Sequence, residues 1–212
     1  MPSIENIAGT AAEVDTSFKT LRTSLRPMEC LSWNLASAIT GALTTNAANS
    51  AIFSFRNLSA NPIIVRRIGI GVVTTTAFTA AQMVQFGVKV ARAFTASDTG
   101  GTQIAFTGNN CKARTSLATP TSMDCRISAA ASLTAGTKTL DANDIGNIIG
   151  WSGAVGQTIP FATNNLVSHD AGDYPLVLAQ NEGFNIMNLL LLGAAGVITA
   201  NIGFEFAEAT GY

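Results

Sequence analysis

Charge is what this chain has least of. Only 12% of its 212 residues are Asp, Glu, Lys or Arg, about half the usual share. The 12 basic and 13 acidic residues nearly cancel, for a formal net charge of −1. With no basic excess to neutralise phosphates, the composition argues against a nucleic-acid partner. Histidine and cysteine are scarce as well: one His, His169, and three Cys, at 30, 111 and 125. That leaves no imidazole or thiolate set for zinc. An odd number of thiols, none spaced Cys-x-x-Cys, speaks against a disulfide scaffold and for buried thiols made in a reducing cytoplasm. Long apolar runs are missing too. Leu189 to Ala200 is the longest and contains Gly193 and Gly196, whereas a membrane helix needs about twenty apolar residues. The opening Met-Pro-Ser-Ile-Glu-Asn has neither a positive nor an apolar region, so neither a signal peptide nor a membrane partner is expected.

Small and apolar residues fill the space that charge leaves. Hydrophobic residues make up 47% of the chain, enough for a sizeable core and too apolar for disorder. A surface this poor in charge suits a protein covered by neighbours, so an obligate assembly with other copies of itself is expected.

The stretch from Tyr174 to Glu208 shows how that core is built. Ile198, Ala200, Ile202, Phe204 and Phe206 alternate with Thr199, Asn201, Gly203 and Glu205, the period of a strand with one buried face. Upstream, Asn181-Glu182-Gly183 separates two apolar runs, which reads as a turn between neighbouring paired strands.

Residues 1 to 30 differ from the rest. Glu5, Glu13, Asp15, Lys19, Arg22, Arg26 and Glu29 concentrate charge there while apolar residues are thinly spread. The expectation is an N-terminal arm over 1–30 that cannot fold alone, with Asp15-Thr16-Ser17 capping a short helix toward Pro27. A β-domain is expected over 31–212. Leu31–Ile39 and Ile52–Arg56 read as strands, the second with Phe53 and Phe55 inward. A third run puts Ile64, Arg66, Ile68, Ile70 and Val72 on one face and Ile63, Val65 and Arg67 on the other, ending in a Thr74–Thr76 connector. Val84, Phe86, Val88, Val90 and Phe94, interrupted only by Arg92, form the clearest strand face. Ser97 to Gly101 carries hairpin chemistry and Thr102–Phe106 returns from it. Asp124–Ser128 is a further strand, Ala135–Asp141 a turn with an extended piece, Ile145–Trp151 a turn of helix, and Gly153–Asp173 a long surface loop. Strands at hairpin spacing, with no long helix, predict an all-β fold: a β-sandwich, jelly-roll-like, with an extended N-terminal arm.

Chemistry-bearing residues do not gather into motifs. Ser168-His169-Asp170 has the triad residue types, but adjacent side chains cannot align as a triad. Asp141-Ala-Asn143-Asp144-Ile145-Gly146 starts like a calcium loop but has Ile145 and Ser152 where ligands are needed. Gly69-Ile70-Gly71 lacks the third glycine of a dinucleotide fingerprint, and Asn57-Leu58-Ser59 fits the glycosylation pattern without a secretory context. Asp124 with Arg126, and Lys112 with Arg114, read as surface charges in loops. Arg66, Arg67 and Arg92 interrupt apolar strands, so each must find a carboxylate or carbonyl, in its own fold or across a subunit boundary, with the boundary slightly favoured. Glycoside hydrolysis needs two carboxylates across a cleft, and Asp173 with Glu182 is the one pair to test. No catalytic, cofactor-binding or metal-ligating residue is assigned.

Several segments resemble a family of tailed-bacteriophage virion proteins. They are Thr23–Pro27, Ala91–Gly101, Gly108–Asn110 with Arg114–Ser116, Leu133–Asp141 and Tyr174–Phe184. The resemblance spreads from about residue 20 to Glu208. One departure is the run from Asn185 to Leu190, which is more apolar than the family pattern. The resemblance implies a structural component of the virion, made in the host bacterial cytoplasm and without a catalytic motif. Its expected role is capsid decoration, cementing the shell through contacts with itself and the major capsid protein. The alternative is a tail or tail-fibre-associated adaptor.

Overall fold

Alternating segments become strands here, and every strand pair is antiparallel. The computed structural model describes residues 14–15, 20–21, 30–44, 46–120, 122–152, 165–169, 175–193 and 195–209. Along the chain come β1 (Val14–Asp15), β2 (Thr20–Leu21), β3 (Cys30–Ile39), β4 (Leu43–Thr44) and β5 (Ser50–Asn57). Next are β6 (Ile63–Thr76), β7 (Gln82–Arg92), β8 (Thr102–Gln103), β9 (Met123–Ile127) and β10 (Thr139–Leu140). The last are β11 (Gly146–Ser152), β12 (Asn165–Ser168), β13 (Leu176–Leu178), β14 (Gly183–Asn188) and β15 (Val197–Ala209). No helix occurs among the described residues.

Two sheets pack face to face as a β-sandwich. Sheet I has the order β12-β6-β15-β3, with β13 also on β6 and β4 also on β15. Sheet II has the order β10-β7-β14-β5-β9-β8, with β11 also on β7. Between them lies an aromatic stack. Phe53, Phe55 and Phe184 project from sheet II and Phe204 and Phe206 from sheet I, while Phe106 enters from the loop after β8. Ring centroids are 5.1 Å apart for Phe53–Phe204, 5.2 Å for Phe55–Phe206 and 5.3 Å for Phe106–Phe206. Edge-to-face pairs like these contribute about 0.5–1.5 kcal/mol each beyond their buried area. The expected alternation of β15 holds: Ile198, Ala200, Ile202, Phe204 and Phe206 are all buried. So does the Val84–Val90 face of β7.

Other expectations give way to the fold. β13 and β14 are consecutive across Asn181-Glu182-Gly183 but do not pair; β13 joins β6 in sheet I and β14 sits between β5 and β7 in sheet II. The turn is a crossover between sheets. Asn181 takes a left-handed φ of 62°. At Gly183 an added Cβ would lie 1.9 Å from the Phe55 carbonyl oxygen, so the strands approach as closely as they do only with glycine there. The hairpin at Ser97–Gly101 also fails, because β8 pairs β9 at the far edge of sheet II rather than β7.

On β6 a register shift against Glu205/Phe206 interrupts the alternation. A bulge adds one residue and re-aims the side chains beyond it. Val65 and Ile68, three apart, therefore both reach the core, and Arg66 does not share a face with Ile68. The same strand runs on through the expected Thr74–Thr76 connector.

Gly146–Ser152 is a strand paired along β7, not a helical turn, with Ile148 and Ser152 buried and Asn147, Ile149 and Trp151 exposed. Over seven residues the two-residue period outweighs any helical one. Within the expected Gly153–Asp173 loop, β12 pairs β6, while 153–164 and 170–173 lie outside the described residues. The same holds for most of the arm. The helix expected from Asp15 is absent where it can be seen, since Val14 pairs with Leu21 and Asp15 with Thr20. Ser and Thr compete with helix for the backbone and favour turns and strands.

Candidate functional site

Residues singled out from the sequence are scattered over the sandwich. His169 stands at the end of β12, where its backbone N–H donates to the Arg66 carbonyl at 3.0 Å; Asp170 lies outside the described residues. Asp173, half of the carboxylate pair, is outside them too. Its intended partner Glu182 accepts from Arg92 Nη1 at 2.9 Å and from the Ala179 N–H at 3.0 Å. Arg92 also reaches Asp141 Oδ2 at 3.4 Å. The hydrogen bond to Glu182 is the main cause holding the Arg92 guanidinium above its ordinary pKa.

Arg66 lies 3.7 Å from Glu205 and over the Trp33 ring. Two of the three strand arginines thus find partners inside the chain. The third, Arg67, is exposed beside a depression of about 320 Å³ on the outer face of sheet I, floored by Gly69, Gly71 and Gly203. Asp124 pairs with Arg126 at 3.0 Å within β9, and Lys112 donates to the Leu117 carbonyl. Asn57 is fully buried and ties the Asn61 and Leu178 carbonyls together. Asp144 of the calcium-like segment pairs with Lys89 at 3.5 Å. Among the described residues no cluster of three or more His, Cys, Asp or Glu is placed to hold a metal.

All three cysteines are free. Burial pushes the Cys125 thiol far up and, to a smaller extent, the Cys111 thiol. Cys30 and Cys111 are half-buried rather than buried.

A dense polar cluster that was not legible as a motif lies elsewhere in the fold. It sits on the outer face of sheet II, above β5 and β14. Phe184 and Ile186 face the core, so Asn185 faces outward, opposite Ser54 of β5. Outward here does not mean exposed. The connections after β7 and after β9 fold across this face and bond to each other. Thr95 and Ala96 N–H groups donate to the Thr137 carbonyl, and Thr99 and Thr134 exchange backbone bonds. Gly136 lies so close that a Cβ would be 2.2 Å from the Ala96 carbonyl oxygen. Leu133 packs beneath, on Ala51 and Met187.

Between cover and sheet lies Asp98, 1% exposed. Its Oδ1 accepts from Lys138 Nζ and from the Gly136 N–H at 2.6 Å, and its Oδ2 from Asn185 Nδ2 at 2.6 Å. Burial acts to raise the Asp98 carboxyl, but the hydrogen bonds from Lys138, Gly136, Asn185 and Ser54 outweigh it and hold the group below the usual carboxylate range. Lys138 Nζ also rests over the Phe94 ring at 5.1 Å, with Arg56 against the same ring at 5.5 Å. A buried amine and a buried amide therefore meet on the two oxygens of one buried carboxylate. Of the Asn185–Leu190 run, Asn185 to Asn188 are buried and Leu189 and Leu190 half-buried.

Large apolar side chains are exposed elsewhere. Leu35 and Ile39 stand on β3 of sheet I; Met83, Ile149 and Trp151 stand on β7 and β11 of sheet II, and Leu191 comes just after β14. Met83 and Trp151 are direct cross-strand partners. No protein-family model and no curated protein matches the chain. No helix among the described residues is long and apolar enough to cross a membrane.

Proposed function

We propose that this protein is a structural component of a bacteriophage virion, a capsid decoration protein that cements the shell by contact and carries out no reaction on a substrate. The observation that carries the reading is the resemblance of Ala91–Gly101, Leu133–Asp141 and Tyr174–Phe184 to tailed-phage virion proteins. These three segments lie far apart in sequence; the first two meet at Asp98, Gly136 and Lys138, and the third reaches the first through Glu182 on Arg92 and the Asn181 carbonyl on the Phe94 N–H. Two further features support it. The sandwich has a charge-poor exterior with exposed Trp151, Ile149, Met83, Leu35 and Ile39 on its two sheets, the apolar and aromatic anchors that subunit contacts use. Among the described residues, Asp98 is bonded to Lys138, and Arg92 to Glu182 and Asp141.

In this reading the partners are other copies of the chain and the major capsid protein, and the N-terminal arm adds contact area between subunits. Labelling the protein on purified particles tests the assignment. Label over the whole head supports decoration, whereas label at one vertex or along the tail replaces it with the tail-associated role. Particles lacking the protein should assemble but break under osmotic shock or heat at lower stress.

A further inference from the structure

Asp98, Lys138 and Asn185 are more than a well-satisfied buried cluster. Lys138 Nζ and Asn185 Nδ2 occupy the two oxygens of one carboxylate. The side chain of Lys138 is 5% exposed and that of Asp98 0%, and Asn185 is fully buried. The other atom of the amide, Asn185 Oδ1, has no hydrogen-bond partner. An unpartnered buried amide oxygen costs stability and calls for a reason. An amine and an amide held on the two oxygens of one carboxylate, with water shut out, bring together the nucleophile, the acyl group and the proton carrier that amide exchange requires.

We propose that Lys138 and Asn185 become joined by an isopeptide bond that forms spontaneously after folding, with Asp98 carrying the proton. The Lys138 proton passes along its hydrogen bond to Asp98, freeing the Nζ lone pair. Nζ then bonds to Asn185 Cγ, and the Asp98 proton moves along its hydrogen bond to Nδ2, the nitrogen that is to leave. The Cγ–Nδ2 bond breaks and Nδ2 leaves as ammonium, having taken up two protons from Nζ through Asp98. The balance is a lysine ammonium and an asparagine amide giving a secondary amide and ammonium. Asp98 is regenerated as carboxylate, and no oxidant, metal or nucleotide is needed. Asp98 is assigned the proton rather than the acyl group because its two oxygens are the atoms that contact Lys138 and Asn185.

The bond would tie β14, in the middle of sheet II, to the segment that covers it. It would do for this fold what a disulfide does in secreted proteins, in a compartment where disulfides do not persist. The inference stands apart from the virion reading, since it concerns the chain wherever it works.

The sequence makes the test direct, because Lys138 is the last lysine or arginine of the chain. The intact mass of the folded full-length protein is expected to fall below the sequence mass by one ammonia. After denaturation trypsin should fail at Lys138 and yield residues 127–212 as one piece, and Glu-C cleavage after Glu182 should leave 127–182 and 183–205 joined. Asp98→Asn, which keeps the size of the side chain, should restore the full mass and the cut at Lys138. Wild-type protein of full sequence mass, releasing 127–138 with trypsin, would overturn the proposal whatever the variant does. So would loss of one water in place of one ammonia, or a linked peptide that lacks Asn185.

Discussion

The two sheets of this sandwich share one core and treat their outer faces in opposite ways. On sheet II the connections after β7 and β9 cover the face above β5 and β14, so polar side chains that point away from the core are buried all the same. Among the described residues no connection covers the corresponding face of sheet I, and Gly69, Gly71 and Gly203 leave a depression between Arg67, Asn201 and Glu205. A polar residue on the covered face must be satisfied by protein; one on the open face is satisfied by water. The same substitution made on the two faces should therefore have different consequences.

Carboxylates give the largest contrast. Asp98→Ala removes the carboxylate that pairs with a lysine only 5% exposed, and leaving a buried charge uncompensated costs about 3–5 kcal/mol. Glu205→Ala removes a group that accepts from Trp33 Nε1 at 2.9 Å and lies 3.7 Å from Arg66. Both of those partners stay near water, so the loss should stay near 1 kcal/mol. Urea unfolding of the two variants measures the gap, and equal losses would mean that the cover is no barrier to solvent.

Glycines repeat the contrast. Gly183→Ala puts a methyl 1.9 Å from the Phe55 carbonyl oxygen, whereas Gly71→Ala meets nothing within 4 Å. The first forces backbone apart and should cost about 1–3 kcal/mol or more. The second relieves a flexible strand residue and should stabilise by about 0.5 kcal/mol. Thermal unfolding should place the two variants on opposite sides of the wild type.

Acid should tell the faces apart as well. The Asp98 carboxyl is held below its ordinary value. Its contribution is therefore present above the unfolded pKa, about 3.9, and is lost as pH falls through the lower folded value. Asp98→Asn should unfold with a shallower dependence on pH below about 4, read from urea midpoints across that range. An unchanged slope would show that the hydrogen bonds at Asp98 do not outweigh its burial.

Much of this architecture was legible in the residues. The alternation of β15, β7 and β5 names their buried rows because one face of each strand meets the other sheet, and a strict period of two has no competing reading. What could not be read was which strand lies beside which. Asn181-Glu182-Gly183 and Ser97–Gly101 have turn chemistry, and turn chemistry fixes a change of direction without fixing the sheet that the chain enters next. The bulge at Arg66 is invisible for a similar reason, since one extra residue leaves the composition of β6 unchanged. The cluster around Asp98 is hidden because its members sit in three separate segments. Asp98 and Lys138 each read as part of a turn, and only Asn185, a polar residue inside an apolar run, marks the place.

The smallest expected effect on stability is at the exposed edge of sheet II, where it carries the most information about function. Trp151 is 63% exposed, opposite Met83 at 40%, with Ile149 at 50% on the same strand. Replacing Trp151 with Ser removes little that the isolated fold buries, so unfolding should change by no more than about 0.5 kcal/mol. If this row is where the protein is covered in an assembly, the same change removes an aromatic anchor of the kind that costs about 2 kcal/mol or more at an interface. Self-association measured by sedimentation, and occupancy on purified particles, should then fall while the unfolding curve stays in place. A variant that matched wild type in both would move the contact to the open face of sheet I, where Ile39, at 66% exposed, is the next residue to change.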